Sequence, residues 1–356
     1  MARLFDLKQT DSTFQIRGTI TGVKGKRFYV SGNTKNGGTW HVVEFGVNIN
    51  NGKNVFLKLS GFPRNEVYYY KKGENGEKGT TKKVAWKDRK KTPGEGYRLI
   101  GVNISTAKDE SGKNINEVFT EWDAVEYLHN NLKDGDSVFI KGNVEFSTFT
   151  DKDGNTQRKL TLVPTQISYT NESVDFDADN FEEEALFDNV LVYTGIEKET
   201  DEQDKPTGRF ILSGYSVNYN DIVPVQFILE EENSKLAAKI KKNLKPYNSI
   251  RVYGKINVVV DATAVTAEED DGWGQTSKME QRRINAPVRR EYIVFKAVPE
   301  TIDTETYSEK SIADALKAIK NSKEAVKNFT GKEESAVDDA DGWGDDDDDG
   351  DDVPWD

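Results

Sequence analysis

The chain has 356 residues, 35% hydrophobic and 31% charged, with a net charge of -13. This length fits two domains. No apolar run approaches the ~20 residues of a membrane span, so no membrane partner is expected, and the lack of cysteine excludes disulfides and thiolate metal sites. With His41 and His129 as the only histidines, no zinc centre or histidine triad is expected; each His should be superficial or half buried.

The opening MARLFDLKQTDS lacks the pattern of a secretory signal, so the chain is expected in the cytoplasm. FQIRGTI (14–20) alternates, with Phe14, Ile16 and Ile20 on one face and Arg17 on the other, as a half-buried strand does. TWHVVEFGVNI (39–49) follows the turn NTKNGG. VFLKLSGF (55–62) alternates again, with Val55, Leu57 and Leu59 inward and Phe56, Lys58 and Ser60 outward. An outward Phe beside an outward Lys is unusual for a solvated sheet face. Residues 121–132, EWDAVEYLHNNL, predict a helix capped by Thr120 with Asp123. Residues 133–150 and 156–167 predict a strand and a returning strand around the turn DKDGN.

Between these pieces lies an insertion, 67–98, with 10 Lys plus Arg against 4 acids. Its cations include Lys71, Lys72, Lys82, Lys83, Lys87, Arg89, Lys90, Lys91 and Arg98, and its rings are Tyr68, Tyr69, Tyr70, Trp86 and Tyr97. Cations neutralise phosphates, and rings stack on unpaired bases without needing a particular sequence. Interleaved, they favour single strands over other polyanions. The alternative is a surface loop whose Tyr run packs on the domain. Trp40 and Phe56 extend the platform, or belong to the core.

Several strands, a helix and a closing hairpin make the order of an oligonucleotide-binding (OB) fold, a five-stranded barrel. The order recurs after an acidic linker, 171–186. Strands are expected within 188–197, 208–217 and 222–231, a helix at 234–244 with Ser234 as cap, and strands at 248–260 and 290–298. VFIKGNV and IRVYGKINV occupy the same place after each helix, a weak internal repeat. The expected fold is therefore mostly β: two tandem five-stranded OB barrels (1–170 and 187–303), each with one helix, then a polar helix within 304–332. In that helix Ile312, Leu316 and Ile319 share one side. A second basic patch, Arg282, Arg283, Arg289 and Arg290, sits where the last hairpin loop would project, for phosphate contact or for ion pairs within the loop.

Residues 333–356 hold 13 acids and no base. Such a run repels itself and is expected to be disordered. Its tip, Asp351, Asp352, Val353, Pro354, Trp355 and Asp356, pairs acids with apolar residues and suits a basic, apolar pocket on another protein. A plain solubility tail is the alternative.

GDSVFIKGNVEF followed by TDKDGNTQRKLTLVPTQI resembles the closing hairpin of single-stranded-DNA-binding proteins (SSB) of bacteria and phages. The tail resembles theirs in acidity and in its Pro-aromatic tip, although Asp356 follows Trp355 where the family ends on the aromatic. The resemblance is strongest to a phage-encoded member with tandem OB folds. It implies a protein that coats single-stranded DNA in replication, recombination or repair and recruits replication or repair proteins through the tail, in the host cytoplasm if phage-encoded. No phosphate loop occurs, and DKDGN departs from a calcium loop at Thr156 and Leu162. Neither enzymatic activity nor a cofactor or metal is expected. An adapter whose barrels bind proteins, or a nuclease subunit, are the rivals.

Overall fold

The computed structural model of the chain describes residues 3–34, 37–50, 52–74, 77–150, 156–201, 203–260 and 288–330. The fold is mostly β. The first half runs β1 (Ser12–Thr21), β2 (Tyr29–Asn33), β3 (Thr39–Asn50), β4 (Lys53–Gly61), β5 (Glu66–Lys71), β6 (Thr80–Ala85), β7 (Arg98–Leu99), β8 (Val102–Lys108), β9 (Asn114–Phe119), α1 (Glu121–Asn131), β10 (Ser137–Thr150) and β11 (Thr156–Tyr169). The second runs β12 (Ala185–Thr200), β13 (Pro206–Val217), β14 (Ile222–Leu229), α2 (Ser234–Asn243), β15 (Ser249–Val260), β16 (Val288–Asp303) and α3 (Glu309–Thr330). Among the described residues the first half thus carries eleven strands where five were expected. The insertion makes its own sheet, ordered β6-β5-β7, and β8–β9 add a hairpin.

In the second half the pairing closes on itself. β12 pairs β13, β13 pairs β14, β14 pairs β16 in parallel, β16 pairs β15, and β15 returns to β12. In the first half β1 pairs β3 and β10, β10 pairs β11, and β11 pairs β8 in parallel. The halves join edge to edge, because β1 also pairs β12 antiparallel, with Phe14 opposite Phe187.

The repeat acquires a geometric meaning at this seam. Phe14 stands opposite Gly142, and Phe187 stands opposite Gly254. A Cβ on Gly142 would lie 2.7 Å from the Phe14 ring and 2.0 Å from the Val163 carbonyl oxygen. One on Gly254 would lie 2.3 Å from both the Phe187 ring and the Ile293 carbonyl oxygen. Each glycine makes room for the phenylalanine of its neighbour strand. Each also adjoins a bulge: the register shifts between Lys141 and Gly142 in β10–β11 and between Tyr253 and Gly254 in β15–β16.

One apolar core gathers residues of both halves, among them Phe14, Ile16, Phe45, Leu57, Leu128, Phe187, Phe227 and Ile256. As predicted, α1 is capped by Thr120, whose hydroxyl accepts the Asp123 amide at 3.1 Å. His41 is buried rather than superficial. It stacks on Trp122 with centroids 3.8 Å apart, and its Nε2 lies 3.0 Å from the Trp122 carbonyl oxygen, which ties α1 to β3.

Two local expectations are corrected. The α2 cap is Asn233, not Ser234, and makes no side-chain cap bond, because a 3-10 turn over Glu231–Asn233 runs directly into the helix. On α3 the buried stripe is Ile312, Ala315 and Ile319, packed with Leu7, Val192, Val217, Ile222 and Tyr307. Leu316, at 36%, is exposed; the helix docks on its i, i+3, i+7 line, and position i+4 rotates past the contact. The acidic linker lies against the first half: Glu183 accepts from Asn50 at 3.1 Å and pairs Lys53 at 3.8 Å, and Glu184 accepts from Gln15 at 2.9 Å. Among the described residues, no helix is long and apolar enough to cross a membrane.

The seam geometry predicts that Gly142→Ala and Gly254→Ala each destabilise the chain by about 1–3 kcal/mol, as overpacking does. Thermal unfolding measures this; a Gly142→Ala protein melting like wild type would contradict it.

Candidate nucleic-acid interface

The insertion is built on alternation. Along β5, Glu66, Tyr68 and Tyr70 take one face, and Val67, Tyr69 and Lys71 the other. Tyr68 and Tyr70 are 39% and 43% exposed, whereas Tyr69 is 5% exposed and donates its hydroxyl to the Arg89 carbonyl at 2.6 Å. Tyr69 is therefore a packing residue that offers no ring face to a base, a correction to its expected role. Register places Lys83 opposite Tyr68 and Arg98 opposite Tyr70. The Lys83 ammonium lies 5.4 Å from the Tyr68 ring centroid and bonds Glu66 at 2.7 Å; Glu66 also accepts the Tyr68 hydroxyl at 2.9 Å. Those bonds, Lys83 first, hold the Glu66 carboxyl below its ordinary range. On the opposite face Lys82 sits 4.6 Å from the Tyr97 ring.

The insertion sheet stands beside the first half across a groove of about 490 Å³, walled by Arg64, Tyr68, Trp86, Ile100, Glu145 and Pro164 among others. Two carboxylates there are already neutralised, Glu66 by Lys83 and Glu121 by Arg64 at 3.2 Å. Ile100 is exposed, an apolar side chain in the groove wall.

What holds the insertion in place is Arg89. Its guanidinium forks onto Asp123 of α1, with Nε and a terminal nitrogen each 2.9 Å from a carboxylate oxygen, and lies 4.6 Å from the Trp86 ring. Asp123 also accepts from Thr120 at 2.7 Å and faces Lys90 at 3.5 Å. Burial opposes the Asp123 charge. The bonds from Arg89 and Thr120 and the cations Arg89 and Lys90 outweigh it, and its carboxyl lies below the ordinary range. Arg89 is thus a brace and not a spare phosphate ligand, which corrects its expected role, and one face of Trp86 is taken by Arg89.

The remaining candidates divide. Lys72, Lys87, Lys90, Lys91 and Arg98 are exposed around the insertion, with Lys91 on Asp88 at 2.7 Å. Phe56 is 45% exposed on β4, and the Arg290 guanidinium of β16 stands 5.8 Å from its ring, so candidates from the two halves meet. Arg17, Trp40 and Lys58 are half buried and do not wall the insertion groove; Trp40 lies against Gly32. Arg282, Arg283 and the tail residues Asp351, Asp352, Val353, Pro354, Trp355 and Asp356 lie outside the described residues, as does the Arg289 side chain. Sequence reasoning missed Arg64 and Ile100, which flank the basic run without belonging to it.

Residues 71–332 match the model of the YorF family. No curated protein matches the chain. Among solved structures, the wild-type single-stranded DNA binding protein from Thermus aquaticus is similar at 10% identity and a TM-score of 0.37, over 82% of this chain and 93% of that one. A deletion mutant of the same protein matches at 11% identity and 0.36, over 82% and 94%. Likenesses this loose carry no weight for fold or function.

The brace sets a stability expectation. A carboxyl depressed in the folded chain contributes stability above its unfolded pKa of about 3.9 and loses it as pH falls through the folded value. Asp123→Asn should destabilise the chain by about 2–4 kcal/mol at pH 7, below the figure for a fully buried pair because Arg89 keeps a fifth of its side chain in water. Wild type should lose that advantage on acidification below about pH 4. Parallel melts of the two proteins at pH 7 and at low pH read this; an unchanged difference between them would refute it.

Proposed function

The chain belongs to the YorF family, and we propose that it is a non-enzymatic single-stranded-DNA-binding protein built on two tandem five-stranded OB barrels. The observation that carries the function is the insertion groove with the sheet face beside it: exposed Tyr68 and Ile100 wall the groove with Arg64, and exposed Tyr70 continues the Tyr68 face of the insertion sheet, with Lys83 opposite Tyr68 and Arg98 opposite Tyr70. Flat apolar rings adjoining cations suit a strand whose bases are unpaired. The bases of a duplex are already stacked and gain little there. Support for two barrels comes from the closed pairing of β12 to β16 and from the matched Phe–Gly contacts at the seam. The acid-rich tail recruits replication or repair proteins, with Trp355 and Pro354 as anchors. The setting is DNA replication, recombination or repair in the cytoplasm, that of the host if the chain is phage-encoded.

Titration with oligo-dT and with duplex of equal length tests this. Single strands should bind tighter, and about four neutralised phosphates give a slope of log affinity against log salt of roughly -3. Tyr70→Ala should weaken binding by about 1–3 kcal/mol. Equal affinity for duplex, or a flat salt response, would overturn the reading. Labelled DNA should stay intact with magnesium; cleavage would favour the nuclease.

A further inference from the structure

The insertion groove has two exits, and their charges differ. At Asn143 and Glu145 it meets a groove along the start of β1, walled by Asp11, Glu145, Asp188 and Arg251. At Asn143 and Thr165 it meets another over the outer face of the strands joined at the seam, walled by Lys141, Tyr253, Phe295 and Lys296. In the first, three carboxylates face one guanidinium, and that guanidinium is held by Asp188 at 2.8 Å. Glu145 has no ion-pair partner among the described residues. In the second, two lysines face a single carboxylate, the same Asp188 already bonded to Arg251. A phosphodiester chain is repelled by the first exit and attracted by the second.

The second exit also presents rings, and the backbone explains why. Tyr253 pairs with Lys296 and Gly254 pairs with Val294, so Phe295 is the extra residue of a bulge. A bulge re-aims its side chain away from the regular alternation, and Phe295 is left 46% exposed. The Lys296 ammonium lies 5.8 Å from the Tyr253 ring, and that of Lys141 lies 5.2 Å from the Phe139 ring. These cation–ring pairs repeat the Lys83–Tyr68 arrangement of the insertion, at 5.4 Å.

We infer that the groove across the seam is a second single-strand site, continuous with the insertion groove, in which Lys141 and Lys296 take phosphates and Phe295 and Tyr253 take bases. It rests on the reading of the insertion groove as a single-strand site. The strand passes from the first half to the second over Asn143 and Thr165. The acidic groove beside it keeps the strand from straying.

The test is a titration of the full chain with oligo-dT of about 8 and about 30 nucleotides, short and long against the roughly 4–16 nucleotides that one barrel covers. Phe295 and Lys296 are exposed, and circular dichroism checks that the double variant Phe295→Ala, Lys296→Ala stays folded. The variant should bind the short oligonucleotide like wild type and the long one about five- to a hundredfold more weakly. Its salt slope on the long one should be shallower by about 0.7, for one lost phosphate contact. Asp11→Asn, exposed in the acidic groove and outside the other two, should bind the long oligonucleotide at least as tightly as wild type. A double variant that binds both lengths like wild type overturns the second site and leaves the insertion groove standing. So does one whose affinities are unchanged while sedimentation shows a dimer turned to monomer, which would make this face a contact between copies. Wild type binding neither length overturns both readings.

Discussion

The pairing of β1 with β12 is the constraint on which the rest of the molecule depends. Without it the halves would share neither a sheet nor the core that runs through both. The pairing sets Phe14 against Phe187, and each ring needs a neighbour strand without a side chain at the contact. Gly142 and Gly254 meet that need. Both glycines adjoin bulges, and the same irregularity that admits a ring on the inside pushes Thr165 and Phe295 outward. Packing at the seam and the shape of the outer surface are therefore one arrangement.

The basic insertion shows how charge is divided between structure and surface. Arg89 satisfies a buried carboxylate with two parallel hydrogen bonds, the geometry a guanidinium suits and an ammonium does not. Lysines around it keep their ends in water, where exchange of one anion for another is easy; Lys90 is 76% exposed even while facing Asp123. Tyr69 and Arg89 hold the platform, and Tyr68, Tyr70 and Arg98 remain at its surface. The Arg89–Asp123 link ties the insertion to α1, and the groove between insertion and first half lies beside it.

The second half handles charge differently. Arg209 stands among Glu199, Glu230 and Glu291 at 3.4, 3.9 and 3.0 Å. Burial disfavours its charge and the three carboxylates more than restore it, so its pKa is raised. That cation belongs to the interior balance of its own half. The second half's outward cations near the seam, Lys296 and Arg290, each sit beside a ring, and in the case of Arg290 the ring is Phe56 of the other half.

Local pattern was enough for some of the regular elements, while β2 and β5 to β9 were not among the expected strands. Alternation set β1 and β4 with Phe56 outward, helical spacing and a Thr–Asp cap set α1, and the recurring pieces VFIKGNV and IRVYGKINV marked the strands after each helix as equivalent. Composition alone singled out the insertion as the place where rings and cations meet. The tertiary structure decided which of those residues face out, since a run of three tyrosines has no periodic neighbour to say which one is buried. It decided that Arg89 braces and Lys83 does not, because the buried partner Asp123 is 34 residues away along the chain. It also turned α3 onto Ala315 instead of Leu316. The groove at the seam was legible nowhere in the sequence: its walls come from β1, β10, β11, β12, β15 and β16, and only the pairing of two distant strands brings them to one surface.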